Sequence, residues 1–452
     1  MKLKALFISA TVATTLSLSF MASHNSYAAE FIPEPELGVT LEDFLSAAIE
    51  FSPTLKMAEE SLNIGSSRKK QASGRLLPQV TARGSRSDNR RTDATDLVQT
   101  FDGERYSVQL TQVLFNWQAF TARSQASFIE NQLEAEYYGA LANLLTVVAE
   151  NYFNVLQAQD ALDSIASELE AVNNQLDQIQ NLYDRQLVQI TDLYQVQASV
   201  AAVEAEQLRL ETDLALNQEA LYSVSGMTAG DLLGMRDNAI VPPLQNSINY
   251  WVNQAKQNNH QIEAQEYAVQ AANKRISERK GAYMPQVNFV AQVQQTNLGF
   301  DNRFIDQNDI SYLAIDVTIP LYAGGSNRAA VSEAASQHRM AQSELQIVEL
   351  EATQRVRSSY LQVAAAENFI AAARKLLESA TLSSTAMQQG FNLGAVTSVD
   401  VLNALRDQFR AQRDLQTARY DHVKFLVLLK REAGLLSAED MVEVSSWLES
   451  PN

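Results

Sequence analysis

The chain has 452 residues, of which 46% are apolar, a formal net charge of −18 and no cysteine. This length and apolar fraction allow a large folded core. The acidic excess argues against a nucleic-acid partner, because binding to phosphates needs clustered Lys and Arg. The absence of cysteine excludes a disulfide framework and thiolate metal sites, and it suits an oxidising compartment.

The first 28 residues carry the features of a secretory signal peptide. Lys2 and Lys4 precede a mostly apolar stretch of small residues at 5–22, and Ser26-Tyr27-Ala28 fits a signal-peptidase site. An uncleaved membrane anchor is the alternative. Beyond this segment we find no unbroken apolar run of about 18 residues, the length that a membrane-spanning helix needs. If the protein enters a membrane, we expect it to do so as strands.

The sequence carries an internal duplication. Residues 41–80 align without gaps on residues 248–287, so that Pro78-Gln79-Val80 falls on Pro285-Gln286-Val287. Further along the chain the offset changes from 207 to 208, and Asp192 aligns with Asp400. A nearly constant offset over this length predicts two copies of one unit, at about 41–240 and 248–435. Chance similarity between unrelated helices is the alternative.

After each Pro-Gln-Val the periodicity changes to an alternation of apolar and polar residues, which is typical of strands. The apolar positions are Tyr106, Val108 and Leu110 in the first copy, and Val287, Phe289, Ala291, Val293, Leu313, Ile315, Val317 and Ile319 in the second. We predict four antiparallel strands of about ten residues, the length of a tilted membrane strand. Polar loops are expected at 87–104 and 297–309.

Four strands cannot close a barrel, and lipid does not tolerate an open sheet edge. If the strands span a membrane, the barrel must therefore be shared between chains, and three chains would supply twelve strands. A soluble sheet packed on helices is the alternative.

Long helices are predicted between the strand pairs. Prolines are absent from 79–241 and from 321–450, and the helical stretches at 116–184 and 326–389 contain only Gly139 between them. Such a helix reaches roughly 100 Å, which is typical of a coiled coil or a tube. Apolar residues follow a three-four spacing at Leu193, Val196, Val200, Val203, Leu210, Leu214, Leu221 and Val224. Turns are expected near 186–191 and 390–398, so each copy ends in a helical hairpin.

The chain resembles the TolC family of trimeric outer-membrane efflux proteins. The resemblance rests on Leu77-Pro78-Gln79, the segment from Leu110-Thr111-Gln112 to Phe115, Tyr152-Phe153-Asn154-Val155-Leu156, Ile319-Pro320-Leu321-Tyr322-Ala323-Gly324-Gly325, and the two turns at 188–192 and 394–402. It implies a mainly α fold with a twelve-stranded barrel shared by a homotrimer in the outer-membrane lipid. It also implies a helical tunnel extending into the periplasm and an equatorial region, which we place at about 226–249 and 434–452.

The resemblance further implies a gate at the periplasmic end of the tunnel. Asp400 matches the first aspartate of a constricting pair, but Asn403 stands at the second position. Asp192, preceded by Thr191, matches a residue that ties the two hairpins together. The usual tyrosine and arginine partners are replaced here by Phe391 and Val396. The charged lock is therefore not expected in its family form.

Both aspartates have a simpler interpretation. Thr397-x-x-Asp400 has the spacing of a capping box, and Asp192 suits the first turn of a helix. In a trimer, however, three Asp400 carboxylates near one axis would raise one another's pKa and concentrate cations.

The resemblance implies a passive exit duct for efflux of small molecules or for type I protein secretion. Its expected partners are a periplasmic adaptor and an inner-membrane transporter of the RND, ABC or MFS type. Docking is expected at the hairpin tips, at Gln186, Leu187, Val188, Gln189, Gly394 and Ala395. The four histidines form no H-E-x-x-H motif, so we expect neither a cofactor, a metal nor an enzyme. A periplasmic adaptor or structural coiled-coil protein is the alternative.

Overall fold

The computed structural model describes residues 39–92, 97–230, 232–235, 243–299 and 304–449. The predicted signal peptide at 1–28 lies outside these residues. No helix in the described ranges is both long enough and apolar enough to cross a membrane.

The elements follow one another in an order that occurs twice: two helices, two strands and two long helices. The first series is α1 (Leu41–Phe51), α2 (Pro53–Gly74), β1 (Gln79–Thr92), β2 (Val98–Asn116), α3 (Trp117–Asp184) and α4 (Ile190–Ser225), followed by the short β3 (Gly234–Met235). The second is α5 (Ile248–Asn258), α6 (His260–Lys280), β4 (Gln286–Leu298), β5 (Phe304–Thr318), α7 (Ser326–Asn392) and α8 (Ser398–Glu432), followed by α9 (Ala438–Ser445) and β6 (Leu448–Glu449). Duplication of the sequence itself stays a prediction.

Local sequence explains where several helices begin. The Asn116 side chain accepts a hydrogen bond from the Ala119 N–H at 3.1 Å, which satisfies a free donor at the start of α3. Thr40 and Asp43 form a capping box at α1, and Pro53 opens α2 at a position where no backbone donor is needed.

The four long strands form one antiparallel sheet in the order β1-β2-β4-β5. They contain 14, 19, 13 and 15 residues, so the prediction of about ten was wrong. The predicted loops at 87–104 and 297–309 were too long for the same reason. Polar residues continue the ladder past the apolar alternation, as where Arg86 Nη2 binds Asp102 Oδ2 at 2.9 Å across β1 and β2.

The two faces of the sheet differ in chemistry. Directly paired residues share a face, and the register pairs Val108 with Val293 and Ala291 with Leu313. The apolar face consists of Val80, Ala82, Val108, Leu110, Phe289, Ala291, Val293, Leu313, Ile315 and Val317. Leu313 is 74% exposed in the single chain, and β1 and β5 pair with no further strand among the described residues.

The apolar core of the helical part divides into separate clusters. The largest surrounds the middle of α3, where Phe44, Tyr152, Phe153 and Tyr420 are buried together. Another is the seam between α3 and α4, and it confirms the predicted three-four spacing from Leu193 to Leu210. The segments predicted as an equatorial region meet where β3 pairs with β6.

Candidate gate at the hairpin tips

The two long hairpins end in the same kind of turn. In hairpin one, formed by α3 and α4, the Gln186 N–H donates to Tyr183 O at 2.7 Å and the Leu187 N–H to Leu182 O at 2.9 Å. In hairpin two, formed by α7 and α8, the Gly394 N–H donates to Phe391 O at 2.9 Å and the Ala395 N–H to Gly390 O at 2.8 Å. This pair of bonds defines a Schellman motif, which requires a left-handed residue. Gly394 supplies it with φ of 73°, and Gln186 with φ of 62°.

The residues predicted to dock an adaptor lie mostly on the surface of these turns. Leu187 is 67% exposed although it is apolar, and Gln186, Gln189, Gly394 and Ala395 are exposed as well. Val188 differs, because its side chain is half-buried against the apolar seam of hairpin one. The turns therefore present a small, partly apolar surface at the end of each hairpin.

Asp400 is the third residue of α8 and forms a capping box with Thr397. Its Oδ2 accepts hydrogen bonds from Thr397 Oγ1 at 2.7 Å and from the Thr397 N–H at 2.9 Å. The Thr397 hydroxyl and N–H both stabilise the carboxylate and lower the pKa of Asp400 below its usual value. Asp400 itself is exposed, and so is Asn403 one turn further on. Capping and exposure are compatible with a second role in the pore.

Asp192 occupies the matching position in hairpin one but is bound less firmly. Its Oδ2 accepts the Gln189 N–H at 3.3 Å. The exposed Thr191 hydroxyl contacts Gln189 Oε1 at 3.4 Å rather than hairpin two. Within the described part of the chain, Asp192 has no ion pair and no hydrogen bond to hairpin two.

Phe391 and Val396 play packing roles in hairpin two. Phe391 is half-buried against the seam of α3 and α4, where Leu402 of α8 is buried too. A Cβ atom added to Gly390 would lie 3.3 Å from Val396 Cγ2, so Val396 covers the turn of its own hairpin. Phe391 therefore gives the two hairpins an apolar contact, at a place where the sequence lacks the partners for a charged one.

Sequence analysis missed a hydrogen-bonded bridge between the hairpins. Gln178 Nε2 of α3 donates to Asn392 Oδ1 of α7 at 3.1 Å. Gln388, one turn before Asn392, donates through Nε2 to Gln178 Oε1 at a longer 3.5 Å. No local motif indicates this bridge, because its partners are more than two hundred residues apart.

A buried ion pair joins the hairpins further from the tips. Glu168 of α3 is 4% exposed, and its Oε2 lies 2.9 Å from Arg413 Nη1 of α8. Glu168 lies in the buried series Ile165, Glu168, Val172, Gln175 and Ile179, whose three-four spacing is that of a coiled-coil seam. A charged residue in such a seam is a signal that could have been read from the sequence.

The geometry is that of paired hairpins with exposed tips and a capped acidic residue. Among the described residues, no group of three or more His, Asp or Glu side chains is placed to hold a metal ion.

A model of the outer membrane efflux protein family matches residues 44–227 and 251–434. The chain belongs to this family. Outer membrane protein TolC of Vibrio cholerae serotype O1 is 26% identical over 382 residues, covering 83% of this chain and 86% of the relative. Alkaline protease secretion protein AprF of Pseudomonas aeruginosa is 24% identical over 432 residues, covering 91% and 88%.

Solved outer-membrane channels share the fold. The outer membrane protein VceC of Vibrio cholerae superposes with a TM-score of 0.74 at 19% identity, covering 87% of this chain and 96% of VceC. The Campylobacter jejuni CmeC outer membrane channel superposes with a TM-score of 0.75 at 14% identity, covering 96% and 98%.

Family membership confirms the predicted resemblance, the mainly α fold with a strand part, the outer-membrane location and the function as an exit duct. It decides against the periplasmic adaptor. The family is one of passive channels.

Proposed function

We propose that three copies of this chain form one duct, with twelve strands closed into a barrel in the outer membrane. The open edges of β1 and β5 carry this proposal, since an unpaired strand edge is not tolerated in lipid. The exposed apolar face fits the outside of such a barrel. Along α7, Leu361, Phe369, Leu376 and Leu382 are also exposed, which fits burial against a neighbouring copy.

The trimer is tested by native mass spectrometry of the protein extracted from outer-membrane fractions. We expect three copies, and a band that migrates as a trimer until the sample is heated. A monomer in the membrane fraction would contradict the proposal.

Within this duct, we propose two repeats at about 41–240 and 248–435, following a signal peptide at 1–28. The repeated order of elements supports the two units. The pairing of β3 with β6 supports an equatorial region built from 226–249 and 434–452.

Because the family is one of passive channels, we propose that an inner-membrane transporter of the RND, ABC or MFS type drives export through the duct. A periplasmic adaptor would connect the two by binding the exposed hairpin tips. The description of the family as efflux proteins and the relative named for alkaline protease secretion support cargo that includes small molecules, proteins exported by type I secretion, or both. We propose no catalytic step.

A photo-crosslinking residue at Gln189 tests the docking site, with the same residue at the exposed Glu59 of α2 as control. We expect adaptor and transporter peptides to be recovered from the Gln189 variant alone. Equal recovery from both variants would refute docking at the tips.

At the tips we propose a gate in which Asp400 and Asn403 surround the pore axis and each protomer holds its hairpins together. Contact of Phe391 with the seam and the bridge from Gln178 to Asn392 support closure without a charged lock. In this arrangement Asp192 and Thr191 stabilise hairpin one, and Val396 stabilises the turn of hairpin two.

Planar bilayer recordings test the acidic ring. Asp400→Ala should weaken a preference for cations, whereas Glu59→Ala, at an exposed position of α2, should leave it unchanged. Unaltered selectivity in the Asp400 variant would leave helix capping as its only role.

A further inference from the structure

The polar face of the sheet carries a pair of arginines close to each other on neighbouring strands. The register pairs Arg83 with Ser107 and Ser85 with Arg105. Arg83 and Arg105 are therefore diagonal neighbours on one face, within reach of each other's long side chains. Both are exposed.

In the part of the chain that the structure describes, no carboxylate pairs with these two arginines. Among the described residues, neither Arg83 nor Arg105 takes part in an ion pair. Their neighbours on the same face are uncharged: the register places Thr81, Ser85, Ser107, Gln109, Gln294 and Thr296 around them. The small serines directly opposite each arginine leave the guanidinium groups uncovered.

The opposite face of the same strand shows the usual arrangement. Arg86, three residues from Arg83, binds Asp102 Oδ2 at 2.9 Å and lies 3.9 Å from Glu104 Oε1. Both carboxylates are on the face of Arg86, so they are directed away from the Arg83–Arg105 pair. Two like charges on adjacent strands are unfavourable without a counterion, and a guanidinium group can bind two oxygens of a carboxylate or phosphate group at once.

We propose that Arg83 and Arg105 form a binding site for multivalent anions in the lumen of the barrel, so that the duct attracts anionic groups of its cargo there. The inference rests on the proposed trimer, in which the apolar face meets lipid and the polar face lines the lumen. Three copies would then place six arginines around one pore. The acidic chain thus has a basic segment in its exit path, opposite in sign to the ring at Asp400.

The test is block of single channels by inorganic tripolyphosphate in bilayers of neutral phosphatidylcholine, added on the side opposite the tunnel. Phosphatidylcholine has no net charge, so negatively charged lipid headgroups cannot account for a change in the block. We expect the double variant R83Q/R105Q to raise the half-blocking concentration at least about tenfold, because six charge-assisted contacts are lost. The variant R83K/R105K should retain part of the block.

R86Q is the matched control, since it removes one arginine from the same strand but from the other face. It should change the half-blocking concentration less than about twofold, because Arg86 is already neutralised by its partners. An unchanged block in R83Q/R105Q, or an equal loss in R86Q, would overturn the site. Wild-type protein that forms no conducting channel would overturn the duct itself, and open channels of normal conductance in the variants show that they have assembled.

Discussion

The two hairpins have nearly the same length and the same turn but differ in what holds them together. Hairpin one is closed by large apolar residues, including Ile179, Val196 and Val200. The buried residues of α7 in hairpin two are mostly small, such as Ala352, Ala366 and Ala373, and its larger side chains face outward. We therefore expect α7 of hairpin two to depend more on neighbouring elements than hairpin one does. If the tips form the proposed gate, we expect hairpin two to be the part that moves.

The largest expected effect comes from a comparison of Ile179→Ala with Leu382→Ala. Ile179 is fully buried in the seam, so its truncation should lower the free energy of unfolding by about 3–4 kcal/mol. Leu382 is 67% exposed in the single chain, so its truncation should spare the protomer but lower the temperature at which the trimer separates. Urea unfolding followed by circular dichroism measures the free energy of unfolding. Gel electrophoresis of samples heated to increasing temperatures measures the separation of the trimer. Equal loss of helix stability in both variants would show that the two hairpins do not differ in how they are stabilised.

The buried ion pair between the hairpins gives the next effect. Arg413→Ala leaves Glu168 buried without a partner and should cost about 3 kcal/mol of stability, because an unpaired buried charge is expensive. Adding Glu168→Gln should restore part of this loss. The same urea experiment measures both, and a double variant as unstable as the single one would show that the charge of Glu168 is not the cause.

Exchanging glutamine and glycine between the two turns should change stability by a smaller amount. The left-handed backbone of Gln186 costs free energy that glycine would not lose, so Gln186→Gly should stabilise hairpin one by about 0.5 kcal/mol. Gly394→Gln should destabilise hairpin two by about 1 kcal/mol, although a Cβ there meets no atom within 4 Å. Changes of the same sign in both variants would show that the turn geometry does not set their stability.

The smallest effect concerns pH. Because Thr397 lowers the pKa of Asp400, the carboxylate should stay charged, and cation preference should persist, until the pH falls through that lowered pKa. Thr397→Val removes the hydroxyl, so the loss of selectivity should begin at a higher pH. Reversal potentials measured over a pH series decide this. An unshifted midpoint would mean that Asp400 does not set the selectivity.

The sequence predicted features that depend on local pattern. The hairpin turns, the seam beginning at Leu193 and the capping box of Thr397 with Asp400 were found from spacing alone. Strand length was underestimated because residues 87–92 pair through backbone groups although their side chains are polar. No sequence pattern indicated the bridge from Gln178 to Asn392. Both are polar residues of a common kind, and they meet only because the fold brings α3 beside α7.

The most direct test of the gate joins Gln178 and Asn392. The natural chain has no cysteine, so Gln178→Cys/Asn392→Cys introduces the only two thiols, which a short reductant-cleavable reagent can link. Each single-cysteine variant, treated in the same way, is the control. If each protomer closes the gate by holding its hairpins together, the linked channel stays in its low-conductance state and exports nothing until reductant is added. Wild-type conductance and export by the linked protein would contradict this account.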